Sequence, residues 1–182
     1  MLTQKEYLSL DATEMANMVK NREVTQAELV DACEYRKEKV NPSLNAVIYD
    51  RSKEQQYSSG SFSGVPFLLK NISQTIKGEP MTAGAKLMQE NIAKQDSYLV
   101  QKLREQGFVF TGYTNTPEFG IKNITEPKLY GPTRNPWNVN HSPGDQAAGR
   151  RLLLRPGLCR WQVRAMVAGR FEFLLHLPEY SD

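Results

Sequence analysis

Two rhythms of apolar and polar residues run along this chain. Over residues 11–40 the rhythm is helical. Met15, Met18 and Val19 form one stripe, and Leu29, Ala32 and Val40 fall near the same spacing. Each run opens on a capping signature, Asp11 with Glu14 and Thr25 with Glu28, in which side chain and backbone satisfy each other's free donors. This predicts helices over 11–20 and 25–40. Asn41-Pro42 is expected to end the second, because proline disfavours a helical residue before it. The rhythm then changes. LNAVIY (44–49), GVPFLLKN (64–71) and FVFTGYTN (108–115) are short apolar runs and predict strands. Between them, residues 51–64 are polar and turn-rich, and 96–107 predict a capped helix ending at Gly107. A strand, a crossover helix and a second strand imply a parallel or mixed sheet flanked by helices, an α/β fold. Residues 125–144 hold four prolines and three asparagines and predict a long loop. Such a loop after a strand end commonly builds a site.

Length and composition narrow the class. At 182 residues the chain matches one domain or part of a larger one. Hydrophobic residues make up 40% and charged residues 24%, as in a soluble globular protein. No run of eighteen apolar residues predicts a membrane-spanning helix. The start, MLTQKEYLSLDATEM, turns polar and acidic too early for a signal peptide, so the expected location is cytoplasmic. Two cysteines, Cys33 and Cys159, and two histidines, His141 and His176, imply neither a disulfide framework nor a metal site. There is no internal repeat and no glycine-rich nucleotide motif.

Charge is distributed unevenly. Residues 1–149 carry seventeen basic and seventeen acidic side chains, whereas 150–182 hold six arginines, no lysine and three acids. A basic tail can bind nucleic acid. This one lacks interleaved aromatics or a known RNA motif, so no nucleic-acid partner is expected.

One residue stands out chemically. Lys70 ends an apolar strand, where a side chain can enter a cleft at the C-terminal edge of a sheet. A partly desolvated lysine loses some preference for its charged form and can serve as a base near neutral pH. The same position also suits a lysine pointing into water.

The segments NPSLNAVI (41–48), GVPFLLKN (64–71), MTAGA (81–85), GYTNTPEFG (112–120) and GPTRNPWN (131–138) settle the context. In this order and at these distances the chain resembles the amidase signature family, serine hydrolases that cleave carboxamide C–N bonds. The resemblance runs from about Asp11 to Gly144. It implies the N-terminal portion of that fold, a mixed sheet flanked by helices. It also implies a small amide substrate and no cofactor, with Lys70 as the catalytic base. Members often carry aspartate after that lysine and serine at the end of the MTAGA-like turn; this chain has Asn71 and Ala85. In the family a serine nucleophile passes its proton through a second serine, held by a cis peptide bond, to the lysine. Backbone N–H groups before the nucleophile form the oxyanion hole. A catalytic subunit of a tRNA-dependent amidotransferase fits the same motifs, as does a non-catalytic binding fragment.

Both serines belong to a Gly-Gly-Ser-Ser-Gly-Gly stretch and a later Asp-x-Gly-Gly-Ser-Ile-Arg-x-Pro stretch, which in the family follow the NPWN-containing loop. Here the loop continues as GDQAAGRR (144–151), without serine. Ser142 precedes the motif position and reads as a loop residue, and nothing in sequence beside Cys159 suggests a base. The genetic code offers an explanation. Read one base earlier, codons for residues 144–150 can encode Gly-Ser-Ser-Gly-Gly-Ala. Codons for 164–174 can encode Ser-Asp-Gly-Gly-Gly-Ser-Ile-Arg-Ile-Pro in the same frame. With CGN for arginine and CTN for leucine, the second and third bases of each shifted codon follow from the residues present, and only the first is free. The cis-serine codon then straddles Asp145 and Gln146, and the nucleophile codon Gly169 and Arg170, at the separation the family pattern requires. The expectation is a frame change at the Gly144 codon. Residues 1–144 would be the N-terminal part of an amidase domain and 145–182 an out-of-frame basic tail. Such a fragment should lack activity and associate through exposed sheet edges.

Overall fold

The computed structural model describes residues 2–136 and 138–143. The expected tail, with Cys159 and His176, lies outside the described residues. Three helices come first: α1 (Gln4–Ser9), α2 (Ala12–Lys20) and α3 (Gln26–Leu44). Each begins with a complete capping box, at Thr3 with Glu6, Asp11 with Glu14, and Thr25 with Glu28. The short α1 escaped the periodicity reading because six residues barely complete a stripe, although its Thr3–Glu6 box is the same signal.

Helix α3 corrects one expectation. It runs through Pro42 and ends at Leu44, where Asn45 adopts a left-handed cap conformation (φ 50°, ψ 44°). The Asn41 side chain is the reason. Its Oδ1 accepts from the backbone N–H of Ala46 (2.9 Å) and Val47 (2.8 Å), and its Nδ2 donates to Val47 O (2.9 Å). These bonds lock the last turn to the following strand and offset the disturbance proline introduces. That strand therefore starts later than the apolar run suggests.

The strands are β1 (Val47–Asp50), β2 (Pro66–Lys70) and β3 (Val109–Thr114), in the order β1-β3-β2. Strand β3 pairs antiparallel with β1 and parallel with β2, and helix α4 (Tyr98–Glu105) makes the crossover. The sheet is thus mixed, as the strand–helix–strand pattern implies. Gly112 lets it assemble. A Cβ there would lie 2.5 Å from Tyr49 O and 3.1 Å from a Val47 methyl. The register slips in both pairings near this point, between Val47 and Tyr49 and between Phe67 and Leu68.

The core joins all of these elements. Tyr7, Met15, Leu29, Cys33, Phe67, Leu68, Val100 and Tyr113 are buried in one cluster. Phe62 stacks on Phe108 at 4.9 Å, and Phe67 meets the same ring edge-on at 5.4 Å. Every residue of β2 and β3 is buried, so the faces of these two strands are covered. The exposed large apolar side chains sit elsewhere, as with Leu87, Tyr98 and Ile121. Two buried cations brace the sheet. Lys37 Nζ bonds Asp50 Oδ1 (2.5 Å), Thr111 O (3.0 Å) and Glu34. Arg51 bonds Glu79 (2.8 Å) and Phe110 O (2.8 Å). Among the described residues no helix is long and apolar enough to cross a membrane.

Candidate active site

Because β2 and β3 are parallel, their C-terminal ends open on the same edge of the sheet. Lys70 ends β2 there and pairs with Thr114 of β3. It is buried, with 7% of its surface exposed, which removes the solvent-facing alternative. Its backbone N–H donates to Gln74 Oε1 (2.6 Å), and its carbonyl accepts from Ile72 N (2.9 Å). The chain therefore turns away sharply after the lysine.

A layer of buried polar side chains surrounds this point. Asn71, 1% exposed, donates through Nδ2 to Pro80 O (3.0 Å). Its Oδ1 takes the N–H of Thr82 (2.8 Å) and also meets the Thr82 hydroxyl (2.7 Å). Thr82 Oγ1 lies 2.9 Å from the hydroxyl of Tyr130. Beyond β3, Asn115 Nδ2 donates to Gly131 O and to Thr133 Oγ1, both at 3.0 Å. The Thr133 hydroxyl donates to Asn45 O (2.9 Å), and Asn45 Nδ2 reaches Tyr130 O (2.8 Å). Side-chain amides thus fasten the 125–134 loop to the end of α3 and to the sheet edge. Buried polar groups paired this fully give a rigid floor rather than a mobile loop.

The turn at 82–85 is strained. Ala83 (φ 48°) and Phe119 (φ 52°) are both left-handed, and Phe119 N donates to Ala83 O (2.8 Å). Gly84 (φ 71°) lets this turn approach β3's extension, since a Cβ would lie 2.6 Å from Thr116 O. Non-glycine residues in this conformation cost about 1–3 kcal/mol each and cluster where geometry serves a site. The Thr116 hydroxyl beside them is buried and has no hydrogen-bond partner among the described residues.

Other candidates fall away from this edge or out of view. Ser142 and His141 are exposed in the loop that follows residue 134. Cys33 is fully buried on α3 near Thr111. Among the described residues no group of three or more His, Cys, Asp or Glu side chains gathers into a metal site. The polar floor itself was missed in the sequence. In the sequence Asn71 is only a departure from the usual aspartate, and Thr82, Asn115, Tyr130 and Thr133 are only letters in motifs. Their signal was weak because each partner is distant along the chain.

A family model described as Amidase matches residues 28–150. The chain belongs to the amidase family. It is 41% identical over 145 residues to 6-aminohexanoate-cyclic-dimer hydrolase of Paenarthrobacter ureafaciens, covering 76% of this chain and 29% of that protein. It is 39% identical over 154 residues to a lipoamidase of Enterococcus faecalis, covering 81% of this chain and 21% of the relative. A solved structure of 6-aminohexanoate cyclic dimer hydrolase complexed with substrate superimposes with a TM-score of 0.73 at 39% identity. That superposition covers 81% of this chain and 32% of the solved one. The chain thus spans about a third or less of the length of these amidases, as an N-terminal portion of the fold would.

Proposed function

We propose that this chain descends from a hydrolase of carboxamide C–N bonds, converting an amide to a carboxylate and ammonia or an amine, with Lys70 as its general base. The supporting observation is a buried lysine at the C-terminal edge of a parallel strand pair, set in a hydrogen-bonded polar floor. In the reaction the neutral amine of Lys70 takes the proton that a serine relay delivers as the nucleophile attacks the amide carbonyl, and later returns it to the leaving nitrogen. The relay belongs to the segment after Gly144, and residues 144–151 contain no serine. The chain as it stands is therefore inactive. A frame change at the Gly144 codon accounts for this, with the nucleophile segment encoded one base earlier. Association through the outer edge of β1 is a further part of this reading, because that strand borders the sheet and is only partly buried.

The experiment is a pair of proteins assayed on simple aliphatic and aryl amides. The 182-residue chain should show no turnover, and the frame-restored gene should yield an amidase. Turnover by the short chain that Lys70→Ala abolishes would refute the inactive reading. A nucleotide sequence without a glycine- and serine-rich continuation in the earlier frame would refute the frame change. A monomer in size-exclusion chromatography at working concentration would refute the association.

A further inference from the structure

The hydrogen bonds beside Lys70 have a fixed direction, and that direction reaches a side chain that the mechanism does not use. Asn71 Nδ2 donates to Pro80 O (3.0 Å), and Oδ1 accepts from Thr82 N (2.8 Å), so the orientation of the amide is settled from both ends. Asn71 Oδ1 can only accept. The Thr82 hydroxyl, 2.7 Å from it, must spend its single hydrogen there. Thr82 Oγ1 is then left with lone pairs. One takes the N–H of Gly84 (3.3 Å), and the other faces the Tyr130 hydroxyl at 2.9 Å. Two oxygens this close need a hydrogen between them, and only the phenol still has one to give. Tyr130 therefore donates to Thr82, and its own oxygen is left as an acceptor.

Tyr130 is half-buried, and its backbone carbonyl is tied down by Asn45 Nδ2 (2.8 Å). The residue is fixed at both ends, at the sheet edge where Lys70 lies. We propose that Tyr130 determines specificity by accepting a hydrogen bond from the N–H of a bound amide, favouring substrates with an amide hydrogen over esters of the same shape. This deepens the amide-hydrolase reading and rests on it. The physical basis is that an acceptor locked in place rewards a donor and gains nothing from an ester oxygen.

The test uses the 182-residue chain itself, in which binding can be measured at equilibrium without turnover. Acetanilide and phenyl acetate share acyl and aryl groups and differ in the N–H. Ligand-observed NMR titration should give about fivefold tighter binding of acetanilide, the value of one neutral hydrogen bond. Tyr130→Phe should abolish the preference. Thr82→Val should abolish it too, because the phenol hydrogen is then free to turn outward, and Thr82→Ser should restore it. Equal affinities in the parent chain, no binding of either probe, or a preference that survives Tyr130→Phe would overturn the proposal. Hydrolysis by the frame-restored protein is measured separately. An active enzyme without the N–H preference sinks only this inference, and a preference without hydrolysis sinks only the amidase reading.

Discussion

Replacing Asn71 with aspartate would reverse one hydrogen bond while leaving the side chain's shape almost unchanged. The amide Nδ2 now donates to Pro80 O across 3.0 Å at a position 1% exposed. In Asn71→Asp a carboxylate oxygen would face that carbonyl instead. Pro80 O loses its donor inside the protein, a loss of about 1–3 kcal/mol. The Thr82 N–H and hydroxyl donors bond the charged oxygen more strongly and return about 1 kcal/mol. Desolvating the carboxylate costs more than that return. The net deficit at pH 7 is about 2–4 kcal/mol. The variant has one escape, because a protonated carboxyl can donate to Pro80 O. Its folded-state pKa must therefore lie above the ordinary value of about 3.9. Between those two values the folded chain holds a proton that the unfolded chain has released, so stability falls as pH rises. Urea midpoints of parent and variant at pH 4 and pH 7 decide the matter. The deficit should be small at pH 4 and large at pH 7. A deficit equal at both, or none at pH 7, would refute the assigned amide orientation and the acceptor role of Tyr130 that depends on it. Family members often carry aspartate here, so the outcome also shows whether this chain's turn is built around an amide.

The other outcomes concern the sheet, its buried charges and the base. Gly112→Val should lower the unfolding free energy from urea titration by about 1–3 kcal/mol, since its Cβ would meet Tyr49 O at 2.5 Å; a neutral effect would contradict the packing of β1 on β3. Burial pulls Lys37 down, but its bonds to Asp50 and Glu34 leave it raised, and burial raises Tyr113 strongly. Both groups keep protons in the folded state that the unfolded chain loses. Stability is therefore complete below about pH 10 and declines as pH rises through the folded values. Tyr113→Phe should flatten part of that decline in alkaline denaturation, and an unchanged slope would remove Tyr113 from the account. In the frame-restored protein Lys70→Ala should cut kcat by about 10²–10⁴. Retained turnover would assign the base elsewhere.

The parts of this molecule legible from the chain alone are those governed by neighbours in sequence. Capping boxes join residues three apart, and the apolar stripes of α2 and α3 follow one helical period, so both could be read directly. The strand ending in Lys70, the crossover helix and the parallel pairing follow from the same local rules and the handedness of the crossover. Local rules failed at Pro42, because what carries the helix onward is the Asn41 amide reaching past the turn to Ala46 and Val47.

Family motifs pointed to Lys70 but said nothing of its neighbours' hydrogens. Asn71 meets Thr82 across a separation of 11 residues, and Thr82 meets Tyr130 across 48. Asn45 and Thr133 are 88 apart. No periodicity encodes such pairs, since a hydrogen bond forms wherever the folded backbone brings donor and acceptor within about 3 Å. The sequence alone thus determined most of the elements and the family. Only the tertiary structure decided that the lysine is buried, that its surroundings form a rigid floor, and which way the protons point. Burial and hydrogen-bond direction are properties of a packed volume, and the chain acquires them when its distant segments meet.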